Sequence, residues 1–335
     1  MKNKVDYLKI VAIVLVFIII ISAAIILVRL WENNHNYFPE SVNKDGIVKY
    51  QGTEYELNPD IESFLLIGLD KYTDAFSSDS HESGIQADFI MVLVFDNENQ
   101  TCIGLQINRD TVTQVNRLSI GGTAVVATYT KQIALAYAYV EDDNAKIRCG
   151  NTKDSVEHLL KCVDINHYFA VTMDGVVTLN DLLGGVEVEV LNDFTGIDDS
   201  LIKGETVTLI GEQALRYVRA RKGLEDSSNI ARMERQKQYL NALYDKLESR
   251  ITEDDEFSLS LVEKMSEHIV YDLSEQKIQK LAEKFAEYEF LGIKTFEGES
   301  TVNEGFVEFH PDEDSIWEIV LDLFYEPIKN KRTRS

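Results

Sequence analysis

The longest apolar stretch of the chain lies near its N-terminus. Residues 10–28 carry no charged side chain, and Ser22 is the only polar residue among them. A helix of this length is about 28 Å long, close to the hydrocarbon thickness of a bilayer. Arg29, Leu30 and Trp31 follow immediately, without the small residues of a signal-peptide cleavage site. The pattern therefore predicts an uncleaved transmembrane signal anchor over residues 10–28.

Charges beside this segment predict its orientation. Lys2, Lys4 and Lys9 precede it, and a short positive flank stays in the cytoplasm. The sequence thus predicts a single-pass protein of the cell membrane whose C-terminal part is extracytoplasmic. The predicted divisions are a cytoplasmic N-terminus (1–9), the anchor (10–28), a stalk (29–45), an extracytoplasmic domain (46–328) and a basic tail (329–335).

Apolar and alternating runs after residue 45 predict β-strands. Phe64–Leu69 and Phe89–Phe95 are continuous apolar runs bounded by polar residues, which is typical of strands buried on both faces. Cys102–Ile107 predicts a third strand. Val186–Val190 alternates strictly and predicts a half-exposed strand, and Lys49–Leu57 predicts a small hairpin.

Other segments have helical spacing. Ser155–Cys162 and Val176–Leu183 predict helices between strands, the second ending at Gly184-Gly185. Apolar residues recur at helical intervals in Ile230–Leu247, and Glu275–Phe290 is amphipathic. Together, these strands and helices predict one α/β domain.

Composition narrows the classes of function. The chain has 335 residues with 33 basic and 57 acidic side chains, so its formal net charge is −24. Because nucleic-acid binding needs a basic face, no nucleic-acid partner is expected. The sequence also lacks glycine-rich phosphate loops, a G-x-S-x-G elbow and metal-ligand spacing among its six histidines. These absences disfavour a zinc or serine hydrolase.

The three cysteines are too few for a disulfide framework. Cys102 lies in an apolar run and is expected in the core. Cys149 and Cys162 would pair only in an oxidising compartment, so the sequence leaves that bridge open.

Basic residues are concentrated in one window of this acidic chain. Residues 216–235 contain six basic and three acidic side chains. Like charges this close repel one another unless an anion lies among them, and the planar fork of arginine suits phosphate oxygens. A solvated basic patch that pairs with its acidic neighbours is the alternative. The arginines of the window are Arg216, Arg219, Arg221, Arg232 and Arg235.

Local geometry can bring several of these arginines together. If residues 217–221 are extended, Arg219 and Arg221 point to the same side. A helix beginning near Ile230 would share one face among several polar side chains, and its N-terminus would favour the same anion. That face would carry Arg232, Arg235 and Gln236.

Further candidates lie at the ends of predicted strands. Arg109 and Asp110 come shortly after the strand that ends at Ile107, and open α/β sheets bind ligands at the carboxyl ends of strands. Asp70 follows one predicted strand and Asp88 introduces another. Two carboxylates near a phosphate suit Mg²⁺, which prefers one or two carboxylates together with phosphate oxygens. Each aspartate taken alone also fits a cap or a turn.

These residues occur, in order, in a known pattern. Over about residues 60–250, the sequence resembles the LytR–CpsA–Psr (LCP) family of bacterial cell-wall phosphotransferases. No single segment is decisive, but the ordered set is specific. The matching segments are Leu65–Asp70, Ala87–Met91, Ile107–Thr111, Lys131 with Ala136–Tyr139, Asp181–Val186, Gly211–Arg221 and Arg232–Gln236.

The resemblance implies an LCP-like α/β fold with a central mixed β-sheet flanked by helices, and an apolar tunnel for a polyprenyl chain. It implies a phosphotransferase that moves a glycopolymer from an undecaprenyl-pyrophosphate carrier to a peptidoglycan sugar hydroxyl. The polymer itself, teichoic acid, capsule or another glycan, stays open.

The resemblance also assigns roles to residues. Asp70 and Asp88 are the acids associated with the implied cofactor, Mg²⁺ (or Mn²⁺). In a mechanism of positioning and charge neutralisation, we expect Arg109 to be the essential catalytic residue, and Asp110 either to orient Arg109 or to accept the proton of the hydroxyl. The implied pyrophosphate contacts are Arg109, Lys131, Arg219, Arg221, Arg232 and Gln236.

The chain departs from the family pattern at several positions. Gln86 occupies the place of a usual arginine, Asn108 replaces a common proline, and Asn229 stands where an acid often lies. The segment between Asp70 and Asp88 is lengthened. Loss of one phosphate contact bears on rate and substrate preference more than on reaction class.

Two alternative functions stay open. One is hydrolysis of the same lipid pyrophosphate, and the other is a non-catalytic module that docks anionic wall polymer.

Overall fold

The computed structural model describes residues 46–70, 85–140, 144–253, 257–285 and 287–328. The predicted transmembrane segment, the stalk and the basic tail lie outside these residues. No helix in the described ranges is long and apolar enough to cross a bilayer. By their contacts, Leu57–Pro327 form one compact unit, and the described residues 46–56 and 328 belong to another.

The larger unit combines strands and helices, and the smaller one contains the predicted hairpin. The strands are β1 (Val48–Tyr50), β2 (Thr53–Leu57), β3 (Ile61–Leu69), β4 (Ala87–Asp96), β5 (Thr101–Ile107), β6 (Val112–Leu118), β7 (Val125–Gln132), β8 (His167–Val171), β9 (Val186–Glu189), β10 (Thr206–Leu209), β11 (Ile269–Tyr271), β12 (Glu289–Thr295), β13 (Gly298–Asn303), β14 (Phe306–Pro311) and β15 (Tyr325–Pro327). The helices are α1 (Ala145–Leu159), α2 (Met173–Leu182), α3 (Glu212–Arg219), α4 (Asn229–Glu253), α5 (Phe257–Met265), α6 (Glu275–Phe285) and α7 (Glu313–Phe324), with a short 3-10 helix at Ile133–Ala136.

A six-stranded mixed sheet in the order β11-β8-β3-β4-β5-β12 forms the centre of the larger unit. β4 runs antiparallel to both β3 and β5, whereas β8 is parallel to β3 and β12 is parallel to β5. The predicted α/β fold with a central mixed sheet is therefore confirmed. Because of these directions, the carboxyl ends of β3, β5 and β8 and the amino end of β4 share one edge of the sheet.

The central strands are buried on both faces. Leu65 and Ile67 of β3 belong to the main core, which α1 and α7 also line. Phe64 points to the opposite face and packs with Phe95 and Tyr288. This two-sided burial is why β3 is a continuous apolar run rather than an alternating one.

A second core lies under the arginine-rich window. Val186 and Val188 of β9 are buried while the residues between and after them are exposed. They pack with Tyr217 of α3 and Tyr239 of α4. The half-exposed strand predicted from the alternation is thus confirmed, and its buried side anchors the helices that carry the arginines.

Several predicted element boundaries are wrong. Residues 217–221 are not extended, because α3 continues to Arg219 and the chain leaves the helix only at Ala220, whose ψ is 135°. The helix predicted at Ser155–Cys162 begins at Ala145 and ends at Leu159. Beyond it, Lys161 and Cys162 take positive φ values of 60° and 65°, which are incompatible with a continuing right-handed helix.

The predicted helix Glu275–Phe290 is also too long. α6 ends at Phe285, and Glu289–Thr295 forms strand β12 instead. β12 pairs in parallel with β5, so tertiary pairing decides the conformation of a segment whose apolar spacing fits either structure.

The structure describes all three cysteines and joins none of them in a disulfide. Cys102 is buried, as predicted, and desolvation raises the pKa of its thiol to about 12. Cys149 is buried in α1, while Cys162 is exposed beyond the end of that helix. The pairing that the sequence left open is therefore not formed in this structure.

Candidate functional site

One edge of the central sheet brings the predicted acids and Arg109 together. Asp70 follows β3, Asp88 is the second residue of β4, and Arg109 lies two residues beyond β5. The backbone N–H of Asp70 donates to the carbonyl of Gln86 at 3.1 Å, because β3 and β4 are antiparallel neighbours. The strand directions alone therefore account for this grouping.

Asp88 is the point at which two arginines meet. Arg109 donates through Nη1 to Asp88 Oδ1 and through Nη2 to Gln86 Oε1. Arg232 approaches from α4, with its Nη1 3.5 Å from Asp88 Oδ2 and its Nη2 donating to the Asp88 carbonyl at 3.2 Å. Burial lowers the pKa of Arg232 to about 10, against the opposing attraction of Asp88. Arg232 is only 3% exposed, so keeping it charged in this site costs free energy.

Arg219 and Arg221 approach the same region from the end of α3. Arg219 Nη2 donates to Asp70 Oδ1 at 2.6 Å, and both side chains are between 40% and 48% exposed. Arg221 Nε donates to the carbonyl of Ser227 at 3.3 Å. Exposed pairs of this kind are weak, so these guanidinium groups can turn to an anionic ligand at small cost.

The basic side chains line one open cleft of about 690 Å³, hereafter the arginine cleft. Its walls carry six cationic side chains and one carboxylate, so it is strongly positive in a chain of negative net charge. The lining residues are Asp88, Arg109, Ile197, Arg216, Arg219, Ala220, Arg221, Lys222, Ser227 and Arg232. Four of the six predicted pyrophosphate contacts therefore share one cleft.

An apolar cavity of about 70 Å³ adjoins the arginine cleft. The two share Asp88, Arg219 and Arg232 as lining residues. At about 30 Å³ per water, the cavity has room for about two water molecules, so its walls must separate to admit a long hydrocarbon chain. The apolar side chains that line it are Leu69, Phe89, Val171, Met173, Val176, Leu215 and Val218.

Two predicted phosphate contacts lie elsewhere. Lys131 is an exposed residue of β7, opposite Thr113 of β6, and it lines neither cavity. Gln236 lines the apolar cavity, but its amide is engaged by protein groups. Its Oε1 accepts from Gln106 Nε2 at 2.9 Å, and its Nε2 donates to the Val218 carbonyl at 3.2 Å. Contacts of Lys131 and Gln236 with phosphate remain predictions.

Asp110 lies behind Arg109 rather than in the cleft. Its Oδ1 is 3.5 Å from Arg109 Nε and accepts from Gln132 Nε2 at 3.2 Å. The side chain is almost fully buried, and Oδ2 has no hydrogen-bond partner among the described residues. Burial raises the pKa of Asp110, although Arg109, Arg221 and Arg232 oppose this. The geometry supports orientation of Arg109 more than proton acceptance.

Arg235 does not face the cleft, which corrects the predicted shared face with Arg232. It is fully buried, and Nε donates to the Tyr217 carbonyl at 3.0 Å while Nη1 donates to Asn192 Oδ1 at 2.7 Å. Nη2 reaches the carbonyl of Ala220. Arg235 therefore satisfies carbonyls at the C-terminal end of α3.

Sequence reasoning missed three contributors to the site. Gln86 departs from the family pattern, and its side chain holds Arg109. Arg216 and Lys222 belong to the basic window of the sequence, and both line the cleft. The excess of basic residues in that window is the signal in the sequence that points to them.

Asp70 and Asp88 can hold a metal ion only if the substrate supplies further ligands to that ion. Asp70 and Asp88 each contact arginine. Within the described residues, no group of three or more His, Cys, Asp or Glu side chains could hold a metal ion. Mg²⁺ binds to one or two carboxylates when phosphate oxygens and water complete its shell. The donor set thus fits a Mg²⁺ that binds together with a phosphate ligand.

Comparisons with known proteins find a matching family and named relatives. A profile of the family described as LytR_cpsA_psr matches residues 32–323. The polyisoprenyl-teichoic acid–peptidoglycan teichoic acid transferase TagV of Bacillus subtilis (strain 168) is 32% identical over 195 residues, which are 56% of this chain and 44% of the relative. The transferase of the same description named TagU, from Halalkalibacterium halodurans, is 32% identical over 183 residues, 54% of this chain and 51% of the relative. The chain thus matches about half the length of these relatives.

Solved structures share the fold. The crystal structure of Bacillus subtilis TagV superposes with a TM-score of 0.59 at 25% identity, over 80% of this chain and 97% of that one. A protein of Streptococcus agalactiae, gbs0355, superposes with a TM-score of 0.62 at 17% identity, over 79% and 86% of the two chains, and supports the fold alone.

Proposed function

The chain belongs to the LytR_cpsA_psr family, and on that premise we propose that it transfers a glycopolymer from a polyisoprenyl-pyrophosphate carrier to a sugar hydroxyl of peptidoglycan. The observation that carries the proposal is the convergence of Arg109, Arg219, Arg221 and Arg232 on one cleft around Asp88. The matched relatives are named as teichoic acid transferases, so teichoic acid is the first polymer to test.

The mechanism consists of positioning and charge stabilisation. The oxygen of a sugar hydroxyl attacks the phosphorus next to the glycopolymer and forms the new P–O bond. The P–O bond to the lipid phosphate breaks, the lipid phosphate leaves, and the hydroxyl proton passes to water. Negative charge then increases on the leaving phosphate. The guanidinium groups that surround it stabilise this charge more in the transition state than in the ground state. Arg109 has the central role, because Gln86 and Asp88 fix its orientation at the cleft.

Asp70 and Asp88 are the residues that would hold Mg²⁺ (or Mn²⁺) together with the diphosphate. When bound, the ion would neutralise part of the phosphate charge. Arg219 would then turn from Asp70 to the phosphate oxygens, which the exposed Asp70–Arg219 pair allows at small cost, while Gln86 still holds Arg109 at the cleft.

The adjoining apolar cavity supports a lipid-linked donor. It shares Asp88, Arg219 and Arg232 with the arginine cleft, so a hydrocarbon tail attached to a diphosphate in the cleft would enter it once its walls separate. This arrangement agrees with a single-pass membrane protein whose extracytoplasmic domain works on a carrier in the bilayer and on peptidoglycan.

The test is product analysis with the purified full-length chain. A polyprenyl-pyrophosphate-linked teichoic acid precursor is incubated with Mg²⁺, with and without peptidoglycan. The proposal expects polymer joined to peptidoglycan through a phosphodiester only when the acceptor is present. Equal release of polymer without acceptor would favour the hydrolase instead. Mg²⁺-independent binding without turnover would favour the non-catalytic module.

A further inference from the structure

Two buried amide pairs join β5 to α4 beside the arginine cleft. Gln106 Nε2 donates to Gln236 Oε1 at 2.9 Å, and Asn229 Nδ2 donates to Asn108 Oδ1 at 2.6 Å. All four side chains are at most 9% exposed. Residue 106 lies in β5 and residue 108 directly follows it, while residues 229 and 236 are two helical turns apart on one face of α4. The two elements are therefore held at two points.

The backbone fixes the direction of the Asn108–Asn229 hydrogen bond. Asn108 Oδ1 also accepts from the backbone N–H of Asp110 at 2.9 Å. Because a backbone N–H can only donate, the side-chain oxygen of Asn108 must lie on this side, and Asn229 must present its NH₂ group. Position 108 thus only accepts in this contact, and position 229 only donates.

This contact lies between the two arginines that meet at Asp88. Asn108 immediately precedes Arg109, and Asn229 lies three residues before Arg232, close to it on the same face of α4. Arg109 and Arg232 reach the same carboxylate from β5 and α4. A shift of α4 relative to the segment that follows β5 would therefore move these two arginines relative to each other.

We infer that Asn108 and Asn229 are positioning residues, which hold Arg109 and Arg232 at the separation that a diphosphate requires; this rests on the proposed function. An amide pair does so without adding charge. A carboxylate at position 229 would instead place another buried acid beside Asp88 and Asp110, and it would lower the positive potential of the cleft. The amide pair therefore fixes the spacing of Arg109 and Arg232 without lowering the positive charge of the arginine cleft.

The test is a double-mutant cycle on the full-length chain with the lipid-linked donor. We expect Asn108→Ala and Asn229→Ala each to lower kcat about tenfold, which corresponds to about 1.4 kcal/mol, the scale of one buried hydrogen bond. The donor KM should change less than threefold, because Arg219 and Arg221 still bind the diphosphate. The double variant should lose about tenfold rather than a hundredfold, and additive losses would overturn the inference.

Asn180→Ala is the matched control. Asn180 is fully buried, donates to the Leu209 carbonyl at 2.9 Å and accepts from the Tyr239 hydroxyl at 3.1 Å. It lines neither cavity. Its loss should lower Tm while kcat per folded enzyme stays unchanged. If the Asn108 and Asn229 variants also lowered Tm and left kcat per folded enzyme unchanged, the two asparagines would have a structural role only.

The direction of the hydrogen bond adds a second test. Asn108→Asp keeps the acceptor and should retain more activity than Asn229→Asp, which replaces the donor by an acceptor. The loss in Asn229→Asp should recover at low pH, when protonation restores a donor, and Asn229→Ala should not recover. Equal losses in the two aspartate variants would show that charge rather than geometry matters, and would overturn the inference.

A readout without turnover separates this inference from the proposed function. If the wild-type chain transfers no polymer, the proposed function fails. Crystal structures of the wild-type and Asn229→Ala chains with inorganic pyrophosphate then decide the positioning role. We expect Arg109 and Arg232 to lie farther apart in the variant, and an unchanged separation would contradict the inference.

Discussion

Replacing Arg232 by methionine should separate stability from function. Arg232 is 3% exposed, and burial lowers its pKa well below the usual arginine value, to about 10. At about 1.36 kcal/mol per unit of pKa, keeping this side chain charged in the fold costs about 3 kcal/mol. The cost applies at every pH below about 10, where the residue is charged in both the folded and unfolded chain. The cost declines only as the pH rises above about 10, where Arg232 loses its charge in the folded chain.

The methionine variant loses some favourable contacts in exchange. The pKa of about 10 already includes the attraction of the Asp88 carboxylate, so the separate loss is the hydrogen bond to the Asp88 carbonyl, which contributes about 1 kcal/mol. Asp88 keeps Arg109 and is 22% exposed, so its charge is not left buried and alone. The net expectation is a gain of about 1–2 kcal/mol, or a Tm increase of about 2–6 °C for a domain of this size.

Thermal unfolding at pH 7.5 and the transfer assay together test this reasoning. We expect Arg232→Met to unfold at a higher temperature and to transfer polymer at least about 100-fold more slowly. Arg235→Met is the matched contrast, since Arg235 is also buried but satisfies carbonyls at the end of α3, and its loss should lower Tm. A Tm decrease in Arg232→Met as large as in Arg235→Met would refute the reasoning.

Three further predictions concern single residues. Arg109→Ala should abolish transfer with little change in Tm, and Arg109→Lys should not restore it because an ammonium group cannot hold Gln86 and Asp88 with a planar fork; wild-type transfer by the alanine variant would remove Arg109 from the mechanism. Asp110→Asn should raise Tm at pH 7.5, because burial raises the pKa of Asp110 and its ionised form costs stability above that pKa; the gain should disappear as the pH falls toward 3.8, and a gain independent of pH would contradict this. A thiol reagent should label Cys162 rapidly in the native chain and Cys102 and Cys149 only after unfolding, and rapid labelling of a second cysteine would contradict the burial described here.

The parts of the site carried by the central sheet follow from the sequence. The apolar runs that end near Asp70, Asp88 and Arg109 identify three strands. Because those strands are consecutive antiparallel neighbours, the residues at their ends meet at one edge. Fixed strand directions leave little freedom, so local patterns were sufficient there.

The parts carried by helices and hairpins depend on tertiary contacts. Helical spacing placed Arg235 near Arg232, but it could not show that the end of α3 would offer carbonyls to Arg235. It also could not show that Gln106 would engage Gln236. Lys131 lies in a hairpin whose register with β6, rather than its own sequence, sets its distance from the cleft.

A crystal structure of the wild-type chain with a short-chain prenyl pyrophosphate and Mg²⁺ tests the central claim most directly. The account predicts the diphosphate within hydrogen-bond distance of Arg109, Arg219, Arg221 and Arg232, and the prenyl tail against Leu69, Phe89 and Met173. A diphosphate bound away from these arginines, or a tail that points into solvent, would contradict it.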